Sequence, residues 1–197
     1  MLEDIDIKYS NNVYPPYEDS VLLAKVAVQQ CHGNVLEIGC GSGVVSISLA
    51  KQKPQTKIVA VDINPNAVKD AKKNAKNNKV KIDFRVSDLF ERVREKNFDF
   101  ILFNPPYLPT TETQKIKSEL NFAFDGGKSG LDTIFRFLQD VKKYIKKDGK
   151  VLIIVSTEQN VSKLDKKIKQ LGFEFKIVAQ DSFFFEKIYV YDIHVAN

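Results

Sequence analysis

Val35-Leu36-Glu37-Ile38-Gly39-Cys40-Gly41-Ser42-Gly43 joins a short apolar run to a glycine-rich turn, and an apolar segment of helical character follows to about Ala50. Strand, glycine turn and helix in that order open a βαβ unit, in which glycine lets the backbone turn tightly and approach a ligand closely. The spacing narrows the ligand. A dinucleotide fingerprint asks for glycine or alanine at position 44, where Val44 stands, and a phosphate loop asks for Gly-Lys followed by Ser or Thr, which is absent. A carboxylate at Glu37 would also repel a pyrophosphate.

Outward from this unit, apolar runs continue to alternate with helical patterns, as a parallel α/β sheet requires. Lys57 to Val61 reads as a second strand ending at Asp62; Asn64 offers a cap and Pro65 a first turn for a helix to about Asn77. Val80 to Val86 alternates apolar and charged residues, the pattern of an edge strand, whereas Phe98 to Phe103 is apolar enough to be central. A long segment from Pro105 to about Gly130 has the length of a functional loop. A helix from Leu131 to Lys146, a strand from Lys150 to Val155 and a helix stopped by Gly172 come next. Phe173 to Val178 and Lys187 to Val195 then form a closing hairpin. The hairpin turns the last strand antiparallel. The expectation is an α/β chain with a seven-stranded, mostly parallel sheet, an antiparallel last strand and helices on both faces.

The 197 residues, 43% of them hydrophobic, suffice for one domain with a sizeable core and not for two. Residues 1–33 are expected to form an N-terminal segment and helix, and 34–197 the α/β core. The formal charge of +5 is carried almost wholly by lysine, with Arg85, Arg92, Arg94 and Arg136 the only arginines. Lysines grouped within helical stretches read first as solvated faces and second as a surface for nucleic acid. Cys31 and Cys40 make no disulfide framework, and His32 and His194 have no partner at metal-ligand spacing, so a reducing compartment and no metal are expected. The first residues include Glu3, Asp4 and Asp6 rather than a basic leader, and no run of about 18 apolar residues occurs. A soluble, cytoplasmic protein without membrane contact is expected.

Glu37, Asp62 and Asp88 each end one of three successive strands, at the sheet edge where open α/β sheets bind ligands. Singly, Asp62 could cap a helix and Asp88 could be a turn residue. Together they suit a ligand with positive charge, ribose hydroxyls and an amino group, which describes S-adenosylmethionine better than a nucleotide. Its expected contacts are Glu37, the loop residues Gly39, Cys40, Gly41 and Gly43, Asp62 with Ile63, and Asp88 with Leu89. Asn104-Pro105-Pro106-Tyr107 follows the fourth strand at the same edge. Two prolines can simply end a strand. They also remove N–H donors, so the turn presents acceptors: the Asn104 side-chain oxygen and the Pro105 carbonyl can each take one hydrogen of an NH2 group. Tyr107 would wall or stack on a planar group. Asn104, Pro105, Pro106 and Tyr107 are therefore the candidate catalytic residues for methylation of a planar nitrogen, with Asn104 also beside the cofactor.

These motifs resemble the class I S-adenosylmethionine-dependent methyltransferases with a Rossmann-like fold, and within them the HemK/PrmC type of protein-glutamine N5-methyltransferase. Phe124-Asp125-Gly126-Gly127, Gly130-Leu131-Asp132 and the N-terminal Tyr14-Pro15-Pro16-Tyr17-Glu18-Asp19-Ser20 belong to the resemblance, the last being similar to the short eukaryotic and archaeal branch, where this stretch helps close over the cofactor, as it is implied to do here. That branch usually has threonine at the position of Ser20; the hydroxyl is kept, so a cofactor contact is implied for Ser20. Bacterial members carry an N-terminal helical bundle that grips the release factor, and about 30 residues before the first strand are too few for one. The resemblance implies N5-methylation of the glutamine in the Gly-Gly-Gln motif of a class-1 translation release factor, with a small zinc-binding activator protein that adds a strand to the sheet. Val80 to Val86 is the expected edge for it. Methylation of an exocyclic amine of adenine or guanine in RNA or DNA is the alternative, since the same tetrapeptide serves both. A catalytically silent binding module is a third.

Overall fold

The computed structural model describes residues 5–107, 129–183 and 186–196. Period-two alternation sorts the side chains of the strands onto two faces. Within β1 (Asn34–Ile38), Val35 joins a cluster with α1 (Glu18–Gln30) and α2 (Val44–Gln52), whereas Leu36 and Ile38 face the opposite layer. β2 (Lys57–Asp62), α3 (Pro65–Asn77), β3 (Asp83–Val86) and β4 (Phe98–Phe103) come next. α4 (Asp132–Asp140), β5 (Ile145–Ser156), α5 (Val161–Gln170), β6 (Phe173–Phe183) and β7 (Glu186–Val195) complete the order. Ile134, Phe137 and Leu138 of α4 and Leu164 and Ile168 of α5 bury their apolar stripes on the second face, so helices cover both.

The seven strands lie in the order β3-β2-β1-β4-β5-β7-β6. β1 pairs in parallel with β2 and β4, with Leu36 opposite Val59 on one side and Ile101 on the other. β7 is antiparallel to both of its neighbours, β5 and β6, as the closing hairpin required. Chain order reverses at the β1/β4 junction, and a crevice opens there at the carboxyl ends of the strands.

Three element boundaries differ from the sequence expectation. The edge strand is four residues long rather than Val80 to Val86. At the end of α3, Lys79 takes a φ of +58° and the Val80 N–H bonds back to the Ala75 carbonyl, so the chain leaves the helix late and reaches the sheet only at Asp83. The helix expected to reach Lys146 stops at Asp140 and tightens into a 3₁₀ turn over Val141–Lys143. The sheet takes up the chain directly after that turn: Ile145 pairs with Phe98, and a Cβ on Gly149 would come within 2.9 Å of the Phe98 carbonyl. β6 extends to Phe183 because β7 continues to pair with it past a bulge between Ile177 and Ala179. No helix among the described residues is long and apolar enough to cross a membrane.

Candidate active site

A cavity of about 400 Å³ sits over that crevice, within the usual range for a small-molecule site. Its floor is the turn after β1. Gly39 and Gly41 hold φ of +67° and +51°, and a Cβ on Gly39 would meet the Asn104 carbonyl at 3.5 Å, so this loop lies against the segment after β4. Gly43 is not among the lining residues. With φ +86° it starts α2, and a Cβ there would come within 3.1 Å of both Ala71 and Ile47, so its smallness serves the packing of α2 on α3.

Glu37 is buried beneath the loop and accepts hydrogen bonds from the Ser46 N–H at 3.1 Å and from the Ser46 hydroxyl. Burial pushes its carboxyl up to about 8 in spite of those bonds. Asp62, at the end of β2, accepts from the N–H of Gly41 and of Asn64, both at 2.8 Å, and burial pushes it up as well. Its two oxygens are thereby fixed at the cavity edge beside Ile63, which is unusually exposed for an apolar side chain. The Cys40 thiol is raised by burial and then by Asp62 and Glu37, which leaves it a neutral wall. Asp88 and Leu89 line the cavity after β3, with Leu89 at a φ of +44°.

Asn104, Pro105, Pro106 and Tyr107 line the same cavity from the end of β4. The Asn104 Nδ2 donates to the Ser20 hydroxyl at 3.3 Å, while its Oδ1 is buried without a partner. An unpaired buried acceptor costs about 1–3 kcal/mol. The segment before α1, with Tyr14 and Pro16, and the first turn of α1, with Asp19 and Ser20, close the other side.

Asp19 and Arg136 make contacts in this site that the sequence did not indicate for them individually. Asp19, 2% exposed, approaches the hydroxyls of Tyr14 and Tyr107 at 3.4 and 3.5 Å. Burial, and next Asp19, raise both phenols far above their ordinary value, so both stay protonated. A carboxylate in the first turn of an amphipathic helix reads as an ordinary helix-end charge, and only the fold turns it inward. Arg136 of α4 forms an ion pair with Asp88 at 2.8 Å, 48 residues away in the chain, and no local pattern marks it. The Gly126-Gly127 motif and the rest of 108–128 lie outside the described residues.

The lining supports a definite chemistry. Asp19, Glu37, Asp62 and Asp88 face the cavity, and Arg136, the one cation among the described lining residues, is already paired. A phosphate would find mostly repulsion; a ligand bearing positive charge, hydroxyls and an amino group would find acceptors. S-Adenosylmethionine fits this donor set, and Asn104 leaves a free acceptor beside it.

A family model described as "Methyltransferase small domain" matches residues 18–189. The chain is 51% identical over 189 residues to a protein of Methanocaldococcus jannaschii to which protein N5-glutamine methyltransferase activity is ascribed, covering 96% of this chain and 95% of that one. It is 35% identical over 131 residues to the release factor glutamine methyltransferase of Koribacter versatilis, covering 64% of this chain and 47% of that one, so it spans about half of that longer relative. Among solved structures, the E. cuniculi Mtq2-Trm112 complex, described as responsible for methylation of the eRF1 termination factor, superposes with a TM-score of 0.74 at 20% identity. The match covers 94% of this chain and 99% of that one.

Proposed function

Because the chain belongs to the methyltransferase small domain family, we propose that it methylates N5 of the glutamine in the Gly-Gly-Gln motif of a class-1 translation release factor. It is an S-adenosylmethionine-dependent N-methyltransferase. The observation that carries the acceptor is the Asn104 Oδ1, a buried oxygen at the cavity with no partner of its own. A primary amide brings two N–H groups. One would satisfy that oxygen, and the Pro105 carbonyl, in a turn that prolines have stripped of donors, would take the other.

An amide nitrogen is a poor nucleophile because its lone pair is delocalised. Two directed acceptors draw electron density toward it and aim it, and the remaining requirement is an in-line approach of roughly 3 to 3.5 Å. S-Adenosylmethionine supplies the methyl group on a sulfonium leaving group. Glu37, Asp62 and Asp88 would hold the cationic and nucleoside parts at the strand ends, with Ser20 and Asn104 lining the same cavity. No strong general base is needed, since the amide proton becomes acidic only after transfer. Burial first, and then Asp19, Glu186 and Glu18, hold the Tyr107 phenol protonated. The negative field of these carboxylates at the acceptor side would repel a phosphodiester, which supports a protein over a nucleic-acid substrate. A small zinc-binding activator would add its strand at β3, which ends the sheet on that side.

The test supplies methyl-labelled cofactor with a release factor or with total RNA, with and without such an activator. Label is expected on the Gly-Gly-Gln glutamine, and Asn104→Ala should lower transfer at least a hundredfold, roughly the loss of about 2.7 kcal/mol of transition-state stabilisation, while cofactor binding persists. Label in RNA with none on glutamine would sink the assignment.

A further inference from the structure

The N-terminal segment from Ile5 to Asn12 runs along α3 outside the sheet, and the helix supplies what a neighbouring strand would. Asn78, at the helix C-cap, accepts from the Asp6 N–H at 3.0 Å and donates to the Asp6 carbonyl at 2.8 Å. One turn earlier, Asn74 does the same for Lys8 at 3.1 and 2.7 Å. Asp70 accepts from the Ser10 N–H at 2.8 Å, and the Asn64 amide donates to the Asn12 carbonyl at 2.8 Å. Asn78, Asn74 and Asp70 are four apart and stack on one helix face, and alternate residues of an extended chain point one way. Four helical residues rise about 6 Å and two extended residues about 6.6 Å, so the rungs stay in register over this length. The Asn74 and Asn78 amides each work as a single peptide unit of a strand.

Asn74 differs from the other rungs. Its Nδ2 also donates to the Ser42 carbonyl at 2.9 Å, and the residue is only 1% exposed. One buried carboxamide therefore ties the strap to the glycine loop. Both ends of that tie lead to the cavity: the strap continues into Tyr14, Asp19 and Ser20, and the loop forms the floor. We propose that Asn74 is a positioning residue that makes seating of the strap and ordering of the glycine loop one event, so that binding of S-adenosylmethionine locks the N-terminal strap along α3. The proposal rests on the reading that this cavity holds the methyl donor.

Hydrogen exchange on the full chain, with and without S-adenosylmethionine, tests it. The ligand is expected to slow exchange at the N–H groups of Asp6, Lys8 and Ser10, none of which lines the cavity, together with those of the glycine loop. Asn74→Ala should abolish the strap response and weaken binding measured by calorimetry about tenfold. Lys8→Pro removes the strap's donor at the same rung without touching the helix. It should weaken binding similarly and combine with Asn74→Ala in a non-additive cycle. Asn78→Ala breaks a rung that makes no bond to the loop, and should speed strap exchange alone. Wild-type affinity in Lys8→Pro, or a loop protected by ligand while the strap is indifferent, overturns the coupling and leaves the cofactor site standing. Protection of neither loop nor strap overturns both.

Discussion

Burial sets the behaviour of the residues around the cavity more than their neighbours do. Glu37 titrates near 4.5 in an unfolded chain and near 8 in the fold, because desolvation outweighs the two bonds from Ser46. The folded state therefore holds this proton more tightly, and the stability it confers is complete below about 4.5 and lost as pH rises through about 8. Ligand-free protein should lose several degrees of Tm relative to Glu37→Gln between pH 5 and pH 9. A difference in Tm that stays flat across that range contradicts the account. Glu37 and Asp62 are identifiable in the sequence as strand-end carboxylates, but their desolvation is not, since it depends on the loop and helix laid over them. Asn104 is similar. Its chemistry is visible in the tetrapeptide; that its Nδ2 meets Ser20, 84 residues away, while its Oδ1 stays unpaired is decided only by the packing of α1.

At the level of elements, local signals succeeded where one residue type carried one physical demand. Asn64 caps α3 through a bond from the Asn66 N–H with Pro65 in the first turn, at the boundary its sequence indicated. Gly43 was expected at the ligand with the other glycines of its loop, and the geometry gives it to helix packing instead. Gly43→Ala combines a strained φ with a Cβ pressed against Ala71 and Ile47, and should destabilise the protein by about 1–3 kcal/mol in urea denaturation. A loss below a few tenths of a kcal/mol would mean that the loop relaxes and the packing account is wrong. β3 came out shorter than its alternating pattern because Val80 is held to the end of α3, a competition between helix cap and strand that periodicity does not register.

For the whole molecule, β7 joins the parallel half of the sheet to the edge strand β6, and its side chains serve the cores on both faces: Tyr191 and Ile193 on one, Ile188 and Val190 on the other. Tyr191 is 2% exposed, stacks on Phe175 at 4.6 Å and donates to Asp165. Tyr191→Ala should cost about 3–5 kcal/mol of unfolding free energy and leave cofactor affinity unchanged well below the melting temperature; a weakened affinity there would mean that β7 reaches the cavity. The sequence alone determined the α/β class, the seven strands, the antiparallel closing strand and the strand-end placement of Glu37, Asp62, Asp88 and Asn104 to Tyr107. Those features come from local periodicity, from turn chemistry and from the rule that such sheets bind ligands at one end. Tertiary structure decided the rest. The inward turn of Asp19, the Arg136–Asp88 pair, the packing role of Gly43 and the strap held by Asn74 all depend on residues tens of positions apart meeting in space. No spacing along a chain encodes which surfaces a fold will bring together.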